Sequence, residues 1–234
     1  MKAIVLAAGK GLRMKPLTDS KPKAMVLLKD KPLLEWHLES LAEAGVSEIA
    51  VVVGYLHQQI EEFFGKNFHE IPITYIEQNE QLGTAHAVSL AEKFAGKENF
   101  LVGQADVIME SYFIREFFYF AEKNKKRFDA VVAARKVSDV SKFGRIIEEK
   151  GIVKKIIEKS GEKKPGLINA GLWWFSPKIF SEIKKTKKSP RGEFEITDSA
   201  KLFIEKNRLG CFPLEGDCFD IGTIEELEKA EKEF

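Results

Sequence analysis

Read from its amino terminus, the sequence alternates short runs that are apolar at nearly every position with longer stretches whose apolar residues recur every three or four positions. Lys2 to Ala7, Ile49 to Val53 and Phe100 to Gly103 are of the first kind, and strands apolar on both faces belong in a buried parallel sheet. The second kind predicts helices over 31–44, 56–64, 84–94, 112–124, 193–206 and 223–233. In the first of these Asp30 is placed to cap, Pro32 falls in the opening turn, Leu34, Leu38 and Leu41 share a face, and Gly45 closes it. The last opens on Thr223-Ile224-Glu225-Glu226, the Thr-x-x-Glu spacing that satisfies free amides at a helix start. Strand alternating with helix predicts a layered α/β fold. Segment 129–175 breaks the rhythm, with strands expected over 130–134, 144–148, 151–157 and 167–175 and little helix between. It reads as a sheet extension forming a small lobe. Neither a repeat nor a low-complexity linker divides the chain, so one domain over 1–234 is expected.

Composition narrows the field. With 37 Lys+Arg against 36 Asp+Glu in 234 residues, the formal charge of +1 argues against a binder of nucleic acid or of acidic membranes. At 44% hydrophobic the chain is too apolar for disorder. Met1-Lys2 runs straight into a strand-length apolar segment, so neither signal peptide nor membrane span is expected, and a cytoplasmic protein is. Cys211 and Cys218 are too few for a disulfide framework and not spaced as zinc ligands; they read as buried thiols. The excess of Lys and Glu resembles thermophile usage, which leaves a bridge between the two cysteines open.

The most informative stretch is Leu6-Ala7-Ala8-Gly9-Lys10-Gly11-Leu12-Arg13, ending in Pro22-Lys23. Small residues let backbone amides approach phosphate oxygens, and Arg13 and Lys23 can neutralise a triphosphate. A dinucleotide-binding fingerprint would need a third small residue where Met14 stands and a helix after it. Pro16 and Pro22 bracket that segment, and an interior proline costs a helix about 3 kcal/mol. This weakens a nicotinamide-dependent oxidoreductase as a rival reading. A Walker-type loop fails as well, since no Gly-x-x-x-x-Gly-Lys-[Ser/Thr] occurs.

At this point the sequence resembles the nucleotidyltransferases that join a nucleoside triphosphate to a sugar 1-phosphate, whose signature is Leu-Ala-Ala-Gly-x-Gly-x-Arg followed by Pro-Lys. Gln78-Asn79-Glu80-Gln81-Leu82-Gly83-Thr84-Ala85 looks like their nucleobase-reading segment. Phe143-Gly144-Arg145, Glu158-Lys159, Asn169-Ala170-Gly171, Gly192 to Asp198 and Asp220-Ile221-Gly222-Thr223 follow in the family's order. The resemblance implies a Rossmann-like three-layer α/β/α nucleotidyltransferase fold, with a mostly parallel central sheet and 129–175 on the substrate side. It implies a reaction in which the sugar phosphate attacks the α-phosphorus of the triphosphate and pyrophosphate leaves. A phosphate monoester, with its second pKa near about 6, is already mostly a dianion at neutral pH, so no general base is required. Two anions must meet, and catalysis rests on neutralisation and alignment.

By that resemblance, Arg13 contacts the departing pyrophosphate, Lys23 the triphosphate, and Lys159 the sugar phosphate and α-phosphate. Leu6, Ala7, Ala8, Gly9, Gly11, Gln78, Gly83 and Thr84 complete the nucleotide site. Gly144, Glu158, Asn169 and Thr197 hold or position the sugar. Magnesium takes oxygen ligands and is usually held by one or two carboxylates plus substrate phosphates; Asp106 and Asp220, each beside an apolar run, are the expected pair. Relatives usually carry Gly before the first acid, where this chain has Gln104-Ala105, and that departure keeps a non-catalytic regulatory homologue in view. His37, His57, His69 and His86 show no ligand spacing. The first three read as surface or helix-face residues; His86 adjoins the Gly83-Thr84-Ala85 turn, with packing favoured over nucleotide contact.

Gln78 can offer an acceptor and a donor to the imide edge of uracil or thymine, but its amide can flip to suit cytosine. The resemblance favours UTP or dTTP over GTP, ATP or CTP, because Ala8 stands where purine-specific relatives commonly have Gly. For the acceptor, glucose 1-phosphate and N-acetylglucosamine 1-phosphate both fit. A mannose-1-phosphate guanylyltransferase or a CTP-dependent cytidylyltransferase of the same fold is the alternative. With no hexapeptide repeat in the sequence, acyl transfer is not expected. The sequence leaves a homo-oligomer open.

Overall fold

The computed structural model describes residues 1–141, 143–158 and 161–233, with Glu158 as backbone. Its first half is built from β1 (Lys2–Leu6), the short strands β2 (Leu27–Leu28) and β3 (Lys31–Pro32), α1 (Leu33–Glu43), β4 (Glu48–Val53), α2 (His57–Phe64), β5 (Asn67–Phe68), β6 (Ile71–Glu77), α3 (Thr84–Leu90), α4 (Glu92–Ala95), β7 (Phe100–Gln104), β8 (Val107–Met109) and α5 (Ser111–Lys123). The second half adds β9 (Ala130–Val137), β10 (Gly144–Glu149), β11 (Ile152–Glu158), β12 (Gly166–Phe175), α6 (Ile179–Ile183), α7 (Ile196–Ile204), β13 (Leu209–Leu214), β14 (Cys218–Asp220) and α8 (Ile224–Glu233).

Ten strands form one sheet in the order β10-β11-β13-β9-β12-β7-β1-β4-β6-β5. The run β7-β1-β4-β6 is parallel, as expected of strands apolar on both faces. Beyond β7 the sheet is mixed, because β12 pairs antiparallel with both β7 and β9 while β13 runs parallel to β9. Segment 129–175 therefore extends the sheet directly through the β7–β12 pairing. Alternate residues of the central strands feed two cores: Ala3, Val5, Val51 and Val53 lie under α1, α2 and α5, while Ile4, Ala50 and Val52 lie under α3, α6 and α7. The Rossmann-like layering follows.

Several boundaries differ from expectation. Helix α1 starts at Leu33 without a side-chain cap, because Asp30, in the left-handed region at φ 64°, sits in the turn joining β2 to β3. The expected helix over 84–94 is two, broken at Ala91. Strand β6, with Pro72 in it, and the short helix α6 were not legible. At α8 Thr223 Oγ1 accepts the Glu226 N–H at 3.2 Å, while the Glu226 carboxylate turns back to the Gly222 N–H at 2.8 Å, one residue earlier than a capping box places it. Cys211 and Cys218 are free, and burial pushes their thiols up to about 12 and about 11. Among the described residues no helix is long and apolar enough to cross a membrane.

Candidate active site

The chain passes from β1 outward through β4 and β6, then returns to lay β7 on the other side of β1. That reversal leaves a crevice beyond the carboxyl ends of β1 and β7, where open α/β sheets bind ligands. Leu6 ends β1 opposite Gln104, which ends β7, and the next residue, Ala105, donates its N–H to the Leu6 carbonyl at 3.1 Å. Two segments leave from this point, the glycine-rich loop and the turn carrying Asp106. Between them lies a cleft of about 490 Å³.

The cleft gathers all ten residues of the expected nucleotide site, Leu6, Ala7, Ala8, Gly9, Gly11, Arg13, Lys23, Gln78, Gly83 and Thr84, with Asp106 at one end. It also brings in Lys10, Gln81 and Glu193, which were not expected there, and Gln104, which stood out in the sequence only as a departure from the family's pattern. Gln81 Nε2 donates to the Ala8 carbonyl at 2.6 Å, tying the base-reading segment to the glycine-rich loop. The signal for Gln81 was available, since it stands inside the motif already quoted.

Glycine is required in both loops. Gly11 lies at φ 63°, and a Cβ there would meet Lys23 Cβ and Thr18 Cγ2 at 2.9 Å; the loop therefore folds directly onto the lysine. Thr18 closes the same turn by donating its hydroxyl to the Gly11 carbonyl at 2.8 Å. Gly83, at φ 105°, lets the Leu82-to-Ala85 turn press against residues 193–196. Phe194 N–H donates to the Leu82 carbonyl at 2.7 Å, Ala85 N–H to the Phe194 carbonyl at 2.8 Å, and Ile196 N–H to Thr84 Oγ1 at 2.9 Å. The Thr84 hydroxyl thus serves the start of α7, and Thr197 sits next to it rather than on the cleft wall.

At the other end, β8 and β14 form a two-stranded ribbon with Val107 opposite Asp220, and the Ile221 N–H reaches the Asp106 carbonyl at 2.9 Å. This brings Asp106 and Asp220, distant in sequence, close enough for their charges to interact. Lys23 Nζ makes an ion pair with Asp106 Oδ2. Burial and then the Asp106 charge push the Asp220 carboxyl up, with Lys23 opposing; Asp220 keeps solvent access, which limits the burial contribution. The Arg13 guanidinium lies over Gly222, where a Cβ would come within 2.7 Å of Nη2.

Asn169 Oδ1 accepts the Gly171 N–H at 2.9 Å, so its amide nitrogen is what remains for a ligand. The segment packs beside Val107, since a Cβ on Gly171 would lie 2.8 Å from Val107 Cγ2. Gly144 begins β10, off the walls of the nucleotide cleft. Lys159 and the Glu158 side chain lie outside the described residues. His37, expected at the surface or on a helix face, is on the inward face of α1 and buried, with Nδ1 2.8 Å from the Val107 carbonyl and burial lowering its pKa. Residues 106 and 108 face β14, so the Val107 carbonyl points off the ribbon and the imidazole supplies its donor.

The model of one family, described as nucleotidyl transferase, matches residues 2–234. The chain belongs to the nucleotidyl transferase family. It is 33% identical to the UTP--glucose-1-phosphate uridylyltransferase AglF of Haloferax volcanii, covering 99% of this chain and 96% of that one. It is 37% identical to the bifunctional protein GlmU of Methanococcus maripaludis, of whose length it spans about half, 54%. Among solved structures, a UDP-glucose pyrophosphorylase complexed with UDP-glucose superposes with a TM-score of 0.86 at 26% identity, covering 99% of this chain and 97% of that one.

Proposed function

We propose that this member of the nucleotidyl transferase family is a single-domain enzyme that moves a nucleoside monophosphate from UTP or dTTP to glucose 1-phosphate or N-acetylglucosamine 1-phosphate, releasing pyrophosphate. The observation that carries this reading is the convergence of the glycine-rich loop, Gln78 and Asp106 on one cleft, with Asp220 beside Asp106 on the ribbon. The near full-length similarity to AglF, a UTP--glucose-1-phosphate uridylyltransferase, favours UTP and glucose 1-phosphate within it.

The triphosphate lies along the glycine-rich loop, its charge met by backbone amides, Arg13 and Lys23, and its base reaches Gln78. The sugar phosphate enters from the Asn169 side, where Lys159, Glu158, Gly144 and Thr197 are the further candidates. A phosphate oxygen of the sugar phosphate forms a bond to the α-phosphorus as the bond from that phosphorus to the bridging oxygen breaks, and the electron pair leaves with pyrophosphate. Nothing must be deprotonated, in keeping with a cleft whose walls, among the described residues, include no histidine.

Asp106 and Asp220 fit a magnesium ion. They present hard carboxylate oxygens on adjacent ends of one ribbon, and their mutual repulsion calls for a cation. Among the described residues no group of three or more metal-ligating side chains occurs, so water and phosphate oxygens would fill the remaining positions, as magnesium prefers. When bound, the ion supplies neutralisation of phosphate charge. Lys23, paired with Asp106 and lining the same cleft as the glycine-rich loop, would share with the ion in meeting the triphosphate's charge. The enzyme is placed in the cytoplasm, with its nucleotide substrates.

The test is a screen of UTP, dTTP, CTP, GTP and ATP against glucose 1-phosphate, N-acetylglucosamine 1-phosphate and mannose 1-phosphate, read by pyrophosphate release. Turnover confined to UTP or dTTP with one of the first two sugars is expected. Turnover with GTP and mannose 1-phosphate instead would overturn the substrate reading, and none with any pair would leave the non-catalytic alternative.

A further inference from the structure

The Gln78 side chain is buried, 5% exposed, and its amide nitrogen is fully committed. Nε2 lies 3.2 Å from the Gly83 carbonyl and 2.9 Å from Nδ1 of His86, one turn into α3. An amide nitrogen has two hydrogens, and each has an acceptor. The orientation is not interchangeable. The Gly83 carbonyl can only accept, so Nε2 rather than Oε1 must face it. His86 Nδ1 must then be the unprotonated ring nitrogen, with the imidazole hydrogen on Nε2. Oε1 is the polar atom left without a partner among the described residues, on a side chain that lines the nucleotide cleft.

A base at Gln78 therefore meets an acceptor and no donor. Uracil and thymine carry N3–H on their imide edge and can donate to it. Cytosine has a lone pair at N3, and two acceptors face each other. A freely rotating glutamine amide would suit either pyrimidine by turning over; this one would have to set its oxygen against the Gly83 carbonyl, and the His86 ring would have to move its proton from Nε2 to Nδ1.

We infer that His86 is a positioning residue that, together with the Gly83 carbonyl, holds the Gln78 amide oxygen-outward and so sets discrimination between UTP and CTP. This rests on the reading of Gln78 as the base-contacting residue. His86 is not among the residues that line the nucleotide cleft; it acts by accepting from Gln78 Nε2 and so favouring one orientation of that amide over the other. Its ring is half-buried beside Ala85 and Ala87, both buried, so it also fills space, and the test must separate the two roles.

The experiment measures kcat/KM for UTP and for CTP, with the same sugar 1-phosphate, in the wild type and in His86→Leu, His86→Asn and Gln78→Ala. The ratio of the two values is independent of the fraction of enzyme that folds. His86→Leu keeps bulk and loses the acceptor; the UTP-to-CTP ratio is expected to fall roughly 10-fold, equivalent to about 1.4 kcal/mol. His86→Asn can present Oδ1 near the place of Nδ1 and should keep most of the ratio. If His86→Leu lowers both efficiencies together and leaves the ratio alone, or if His86→Asn loses the ratio as fully as His86→Leu, the residue only packs and the inference is wrong. Gln78→Ala tells that failure from failure of the underlying reading: a UTP preference that survives Gln78→Ala, or is lacking in the wild type, removes Gln78 from base reading and the role of His86 with it.

Discussion

Replacing Gly83 by alanine tests the geometry of the base-reading turn with a single methyl group. A Cβ at Gly83 would lie 2.5 Å from the Phe194 carbonyl oxygen and 2.8 Å from its nitrogen. Ordinary contact begins at 3.4 Å, so the oxygen is 0.9 Å too close, and both atoms are backbone held in hydrogen bonds. The backbone at φ 105° and ψ 177° is itself a conformation that only glycine adopts without strain of about 1–3 kcal/mol. Relieving the clash means parting the turn from residues 194–196, with two backbone hydrogen bonds at stake at about 1 kcal/mol each. A loss of roughly 3–5 kcal/mol is expected, which in a domain of this size lowers Tm by about 6–20 °C. Because Gln78 donates to the Gly83 carbonyl, a shift of the order of 1 Å also misplaces the base, at about 100-fold in kcat/KM. Gly96→Ala is the control: its φ is 62° and ψ −124°, nothing lies within 4 Å of the added carbon, and backbone strain of about 1–3 kcal/mol should appear in Tm with kinetics unchanged. Thermal unfolding and pyrophosphate release read both variants. A Gly83→Ala enzyme with wild-type Tm and efficiency, or a Gly96→Ala enzyme equally impaired in turnover, would rule out this role for Gly83.

Asp106→Asn should lower turnover by at least about 100-fold, the usual cost of one electrostatic stabiliser, and excess chelator should abolish turnover of the wild type; undiminished rates in chelator would remove the metal. Away from the cleft, buried Asp129 accepts Arg208 Nε and Nη2 at 2.8 and 3.0 Å and Lys178 Nζ at 3.0 Å. Burial alone would raise its pKa, but these bonds outweigh it and hold the carboxyl below its ordinary value. Its contribution is therefore complete above the unfolded pKa of about 4 and is lost as pH falls through the lower folded value. Asp129→Asn should cost about 1–3 kcal/mol near neutral pH, since the cations left behind keep solvent access, and flatten that part of the acid-unfolding profile; an unaltered profile would contradict the assignment.

What was legible in the sequence was what local pattern determines. Strands β1, β4 and β7 were readable because both their faces are covered, which leaves runs apolar at every position. The glycine-rich loop was readable because a close approach of backbone to phosphate excludes side chains. Strand β6 was hidden by Pro72 and by the mixed exposure of a strand near the sheet edge. The β8–β14 ribbon was invisible for another reason: three residues carry no period, and its existence depends on a pairing across more than a hundred positions. Asp106 and Asp220 could be named separately, but their adjacency could not. Gln104 and Glu193 acquire a place in the cleft only through the return of β7 to β1 and the docking of residues 193–196 on the Gly83 turn. Gln78 looked able to donate or accept until His86 and the Gly83 carbonyl were seen to claim both of its hydrogens.

Nucleotidyl transfer at this cleft is tested best by following phosphorus. Enzyme, magnesium and glucose 1-phosphate are incubated with UTP labelled at either the α- or the γ-phosphate, and the products are separated. Nucleotidyl transfer puts α-label in a sugar nucleotide and γ-label in pyrophosphate, in equal amounts. Label from the γ-position in a sugar bisphosphate, or in free phosphate without sugar nucleotide, would contradict it.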